Sequence, residues 1–189
     1  MSGHPTVLVV DDERDIADTY AAMLGESYDV RVAYGGEGAL DAIDDDVDAV
    51  LLDRRMPDVS GDVVLEQVRE AGYGCKVIMV TAIDPDLDIL AMDFDDYLRK
   101  PIKRDTLLQA VDQQLDFVHD PNRKLDEFFK LVSTLEVLEE RLPADRLDDH
   151  EEYKKHRERA EQLGAELSEE MSDFRELVHT FREINRSTE

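Results

Sequence analysis

Along the first 118 residues the period of the hydrophobic pattern changes repeatedly, and each change marks a new element. Val7-Leu8-Val9-Val10, Ala49-Val50-Leu51-Leu52 and Val77-Ile78-Met79-Val80 are short continuous apolar runs. Strands of a parallel sheet covered by helices on both faces read this way. Val30-Arg31-Val32 alternates instead, as an edge strand does. The pattern predicts strands at about 6–10, 29–33, 48–53, 76–81 and 95–99, and helices at about 13–25, 36–44, 61–71, 86–92 and 104–118. Strand and helix alternate throughout, so the expected fold is α/β, a doubly wound five-stranded parallel sheet.

The pattern changes after Asp120-Pro121-Asn122, where glycines nearly vanish and only helical periodicity remains. Phe128, Leu131, Leu135, Leu138 and Leu142 follow a heptad spacing, as do Tyr153, His156, Ala160, Leu163, Leu167, Phe174, Leu177, Phe181 and Ile184. Pro143 ends the first helix and Asp148-Asp149 can start the second. A helix over 149–185 would be roughly 55 Å long and one over 123–142 about 30 Å. A hairpin of the two therefore covers only about half of the longer apolar seam. Leu163, Leu167, Phe174, Leu177, Phe181 and Ile184 are predicted to form an exposed interface, for a second copy of the chain in preference to a helical partner.

Chemistry-bearing residues sit directly after the strands. The first run ends in Asp11-Asp12, the third strand in Asp53, the fourth in Thr81-Ala82, and Tyr97-Leu98-Arg99 in Lys100-Pro101. Taken singly, each has an ordinary explanation: acids open helices, threonines suit strands and lysines coat surfaces. Their ordered recurrence is what singles them out, because the carboxyl ends of parallel strands share one edge of the sheet. Carboxylates there can supply oxygen ligands to Mg²⁺. A carboxylate can also attack phosphorus, and a lysine and a hydroxyl can hold the transferred oxygens. Asp53, from the central strand, is the best nucleophile candidate.

These residues resemble the response regulator receiver domain of two-component signalling. The matching motifs are Val9-Val10-Asp11-Asp12, Leu52-Asp53 with Met56-Pro57 and Gly61, Thr81-Ala82, and Asp95-Asp96-Tyr97-Leu98 with Lys100-Pro101. The resemblance implies a flavodoxin-like sheet in the order 2-1-3-4-5 and a receiver over 5–118. It implies that Asp53 accepts phosphate from the phosphohistidine of a sensor histidine kinase. Asp12 would ligate Mg²⁺ directly and Asp11 through water, with Asp53 and the Arg55 backbone carbonyl completing the protein's share. Thr81 and Lys100 would hold the phosphoryl oxygens, and Tyr97 would be the switch aromatic that turns inward on activation. Such a domain is not an enzyme beyond catalysing its own phosphorylation and dephosphorylation. Between Thr81 and Tyr97 the chain is about a turn shorter than is usual for receivers. The region 123–186, after a linker at 119–122, resembles the HalX domain that follows receivers in haloarchaeal regulators.

Charge narrows the partners. Acids outnumber bases 47 to 22, for a net charge of −25. Residues 121–189 hold 12 Lys and Arg against 19 Asp and Glu, with one basic cluster at Lys154, Lys155, Arg157 and Arg159. DNA contact through the tail is the alternative output, but this balance favours a protein partner. A single cysteine, Cys75, suits a reducing cytoplasm. No apolar run reaches the length of a membrane span, and the first residues lack the pattern of a signal peptide.

The same charge predicts dependence on salt. In molar salt the screening length falls to roughly 3 Å and self-repulsion largely disappears, which is the condition of a salt-rich cytoplasm. Thermal melts should show the midpoint rising markedly between about 0.1 M and 2 M KCl. A flat or falling midpoint would contradict the halophile reading.

Overall fold

The computed structural model describes residues 4–118 and 123–186, with side chains through 115 in the first stretch and 181 in the second. Five parallel strands, β1 (Thr6–Val10), β2 (Asp29–Ala33), β3 (Ala49–Leu52), β4 (Lys76–Thr81) and β5 (Asp96–Arg99), pair in the order β2-β1-β3-β4-β5. Helices α1 (Arg14–Leu24), α2 (Gly36–Ala42), α3 (Gly61–Ala71) and α4 (Arg104–Val118) connect and cover them. Every residue of β3 and β4 is buried, whereas β2 is partly open at the edge. One face of the sheet packs Val7, Val9, Leu51, Ile78 and Val80 against Ala17, Leu24, Leu107 and Val111 of α1 and α4. The segment expected as a helix at 86–92 is only a 3-10 turn, Leu87–Ala91.

The chain forms two compact units. The first holds residues up to Ile83 together with Met92–Val118; the second holds the C-terminal helices together with Asp84–Ala91. Asp84–Ala91 was expected to belong to the receiver, and the structure groups it with the tail instead. The expected linker at 119–122 lies outside the described residues.

Among the described residues the tail has four helices where two were expected: α5 (Arg123–Arg141), α6 (Ala144–Asp148), α7 (Glu151–Glu170) and α8 (Phe174–Arg186). α5 and α7 form an antiparallel hairpin. Lys124 pairs with Glu166 and Glu170 at one end (2.9 and 2.7 Å), and the Tyr153 hydroxyl donates to Glu139 at the other (2.7 Å). Burial and that carboxylate acceptor push the Tyr153 phenol up to about 12. Gly164 brings the helices close, since a Cβ there would lie 3.2 Å from the Phe128 ring.

The expected long helix breaks at Met171, whose backbone is extended (φ −123°, ψ 121°). Asp173-Phe174-Arg175-Glu176 has the spacing of a capping box, which restarts the chain as α8. α8 folds back so that Phe174 meets Phe128 edge-on (5.1 Å) and Phe181 stacks on Phe129 (4.6 Å). Leu163, Leu167, Phe174 and Phe181 are therefore buried within their own chain, and Leu177 is half-buried. This corrects the expectation of an exposed seam: its distal part, folded back as α8, is covered by Phe128 and Phe129 of α5. The Ile184 side chain lies outside the described residues. Truncating Phe128 at the centre of this cluster to alanine should cost about 3–5 kcal/mol. Far-UV circular dichroism should show it as an earlier loss of helix on heating.

Candidate functional site

The strand register delivers the site residues to one edge. Val10 is level with Leu52, Leu52 with Met79, and Thr81 with Arg99. Asp11 and Asp53, the next residues after β1 and β3, are anchored through their own amides. Asp11 N–H donates to the Ala33 carbonyl (3.2 Å) and Asp53 N–H to the Val10 carbonyl (2.9 Å). Both residues are buried, only 2% and 7% exposed, while Asp12 is the more open of the three acids. One carboxylate oxygen from each of Asp11, Asp12 and Asp53 lies within 4.8 Å of the others.

Lys100 bridges two of these acids. Its Nζ donates to Asp11 Oδ2 at 2.6 Å and to Asp53 Oδ2 at 2.9 Å, with the lysine side chain 9% exposed. Burial pushes the Asp11 carboxyl above its ordinary value, against hydrogen bonds from Lys100 and the Glu13 N–H. Burial also pulls on the Lys100 ammonium in the lowering direction, but its bonds to Asp11 and Asp53 outweigh that and hold it above the usual lysine value. It therefore stays cationic at neutral pH. One ammonium against three carboxylates leaves an excess of negative charge. Converging hard oxygen donors with an open side for water fit Mg²⁺.

The loop after Asp53 is held by two devices. At Gly61, N–H donates to the Arg54 carbonyl (2.9 Å), and a Cβ would sit 2.1 Å from the Asp53 carbonyl oxygen, so only glycine permits this approach. Arg54 lies buried and forks onto Asp62 of α3 (2.9 and 3.1 Å). That clamp was absent from the sequence expectations; its partner is eight residues away and marked by no motif. The Arg55 N–H donates weakly to Asp53 Oδ1 (3.4 Å), which puts its backbone beside the cluster.

Thr81 is buried at the end of β4, its carbonyl accepting from the Lys100 N–H (2.9 Å). Its hydroxyl accepts from the Ile83 N–H (3.3 Å), and the Tyr97 hydroxyl donates to the Ile83 carbonyl (3.0 Å). Tyr97 is thus inward, 5% exposed and packed on Phe94. Asp95 serves elsewhere: just before the start of β5, it accepts from Arg69 (2.6 Å) and the Val77 N–H (2.7 Å).

The family model for the response regulator receiver domain matches residues 7–112, and the HalX domain model matches residues 118–184. A putative transcriptional regulator of Haloferax volcanii is 49% identical over 136 residues, 71% of this chain and 23% of that protein. The transcriptional regulatory protein CpxR of Escherichia coli K12 is 38% identical over 109 residues, 56% of this chain and 47% of that one. The chain thus spans less than half the length of these curated relatives. A CheY-like receiver domain protein from Methanospirillum hungatei has a TM-score of 0.57 at 30% identity, covering 60% of this chain and 95% of its own. The Thermotoga maritima response regulator TrrA, solved in complex with Mg(2+)-BeF, has a TM-score of 0.51 at 32% identity, covering 58% and 98%.

Adding one methyl group at the closest backbone approach tests the loop. Gly61→Ala should cost about 1–3 kcal/mol, as overpacking does. Gly74→Ala, where a Cβ meets nothing within 4 Å, should be close to neutral in the same melts.

Proposed function

The chain belongs to the response regulator receiver domain family, and from that premise we propose that Asp53 accepts a phosphoryl group from the phosphohistidine of a sensor histidine kinase, the helical unit carrying the signal onward. The observation that carries this is the buried trio Asp11, Asp53 and Lys100, with Asp12 completing an acidic cluster at the strand ends.

An Asp53 carboxylate oxygen attacks phosphorus as the phosphorus–imidazole nitrogen bond breaks. The departing imidazole keeps the bonding pair and takes up a proton. Asp11, Asp12, Asp53 and the Arg55 backbone carbonyl would hold Mg²⁺, which neutralises charge on the phosphoryl oxygens. Lys100 neutralises another part of that charge, and the Thr81 hydroxyl donates to a phosphoryl oxygen. The product is an acyl phosphate on Asp53, and attack by water returns the carboxylate. No other substrate is turned over. The kinase-facing role, the single cysteine and the acidic surface suit a salt-rich cytoplasm.

For the output we favour a protein partner. The basic residues of α7 are each answered by an acid: Lys154 by Glu151 (2.8 Å), Lys155 by Glu152 (2.6 Å), Arg157 by Asp148 (3.3 Å) and Arg159 by Glu127 (2.7 Å). Such a face offers no surplus of positive charge to a phosphate backbone. The homodimer reading loses its seam, because four of its six residues are buried in the chain itself. A DNA-binding output is the second reading, favoured by the relatives' description as transcriptional regulators. A gel shift on genomic fragments in molar KCl separates the two.

With acetyl phosphate and Mg²⁺, intact mass spectrometry should show one added phosphoryl group, and Asp53→Asn should abolish it. Equal phosphorylation of that variant would overturn the assignment. Lys100→Ala should impair signalling more than metal binding, because the ammonium meets phosphate rather than the cation.

A further inference from the structure

The shortened segment between Thr81 and Tyr97 is divided between the two units in an informative way. Ile83, the last residue of the first unit before the division, is fixed on both sides by the candidate switch residues. Its N–H donates to the Thr81 hydroxyl and its carbonyl accepts from the Tyr97 hydroxyl. The next eight residues, Asp84–Ala91, belong to the helical unit. There Pro85, Ile89 and Leu90 are buried, and the turn Leu87–Ala91 packs against α5 and α7. Asp86 accepts from Arg146 of α6 through both carboxylate oxygens (2.8 and 3.1 Å). Met92 then returns the chain to the first unit.

We propose that Asp84–Ala91 is a strap by which the helical unit senses the state of Asp53, and that phosphorylation loosens it. This rests on the phospho-acceptor reading. The Thr81 hydroxyl is occupied as acceptor for Ile83 N–H. A hydroxyl can accept and donate at once, so the bond is lost through rotation of the Thr81 side chain toward a phosphoryl oxygen on Asp53, which carries its oxygen away from Ile83 N–H and leaves Ile83 held only by Tyr97. The strap begins one residue later and has no regular helix of its own to absorb a shift. The displacement therefore passes through Pro85 to Ile89 and Leu90, and the seat of the Leu87–Ala91 turn on α5 and α7 opens. Apolar anchors carry the effect rather than the exposed Asp86–Arg146 pair, which salt would weaken.

Hydrogen exchange read by mass spectrometry on the full chain, with and without Mg²⁺ and beryllofluoride, tests this. Beryllofluoride should slow exchange in the peptides holding Asp11 and Asp53. It should speed exchange in 84–91 and in the α5 and α7 peptides that seat it by about tenfold, equivalent to roughly 1.4 kcal/mol of local stability. Leu90→Ala, remote from the carboxylate cluster, should raise exchange of 84–91 in the untreated protein and leave beryllofluoride protection at Asp53 intact. Protection at Asp11 and Asp53 with unchanged or slower exchange in 84–91 would overturn the strap and leave the phospho-acceptor reading standing. No protection at either aspartate would overturn both.

Discussion

Mutual repulsion among Asp11, Asp12 and Asp53 is the constraint around which the first unit is organised. Three carboxylates with oxygens within 4.8 Å of each other would separate if the backbone allowed it. The parallel register does not: β1 and β3 are neighbours, and the Asp53 N–H is bonded to the carbonyl that ends β1. Lys100 offsets part of the repulsion by bridging Asp11 and Asp53 from the end of β5. The remaining excess of negative charge is what gives the cluster its affinity for a cation and a phosphoryl group. Gly61 and the Arg54–Asp62 fork close the loop tightly enough that Asp53 cannot retreat.

In the second unit a different balance operates. Its helices carry many charges, so its apolar stripes are narrow, and a single hairpin leaves aromatic side chains wet. The chain solves this by breaking at Met171 and laying α8 back, so that Phe128, Phe129, Phe174 and Phe181 form one cluster. A surface that would have called for a partner becomes core. The antiparallel pairing is steered by complementary ends, with Lys124 against Glu166 and Glu170, and Arg159 against Glu127.

The two balances are joined by chain continuity at Ile83 and Met92. A receiver-like region with a full helix after its fourth strand could bury that helix on its own sheet. The stretch from Asp84 to Ala91 has too few residues for that and contains Pro85. Its apolar residues are instead buried in the helical unit. Shortening one connection thus gives it a second attachment.

The sequence by itself determined the sheet and the identity of the cluster, and the strand order followed from the resemblance its motifs carry. Buried parallel strands must be continuously apolar, and a polar residue directly after such a run can only stand at the sheet edge. That is why Asp11, Asp53, Thr81 and Lys100 could be named from their positions. The departures lie where distant residues decide. The Arg54–Asp62 fork depends on where α3 starts relative to the loop, and Asp84–Ala91 has no local signal of which unit it joins. At the tail, the heptad spacing from Tyr153 to Ile184 is equally compatible with one long helix and with two folded together. Asp173 and Glu176 carried the local restart signal, but the choice rests on aromatic burial against Phe128 and Phe129, roughly fifty residues earlier. Periodicity records which face of a helix is apolar; only the folded chain decides what covers it.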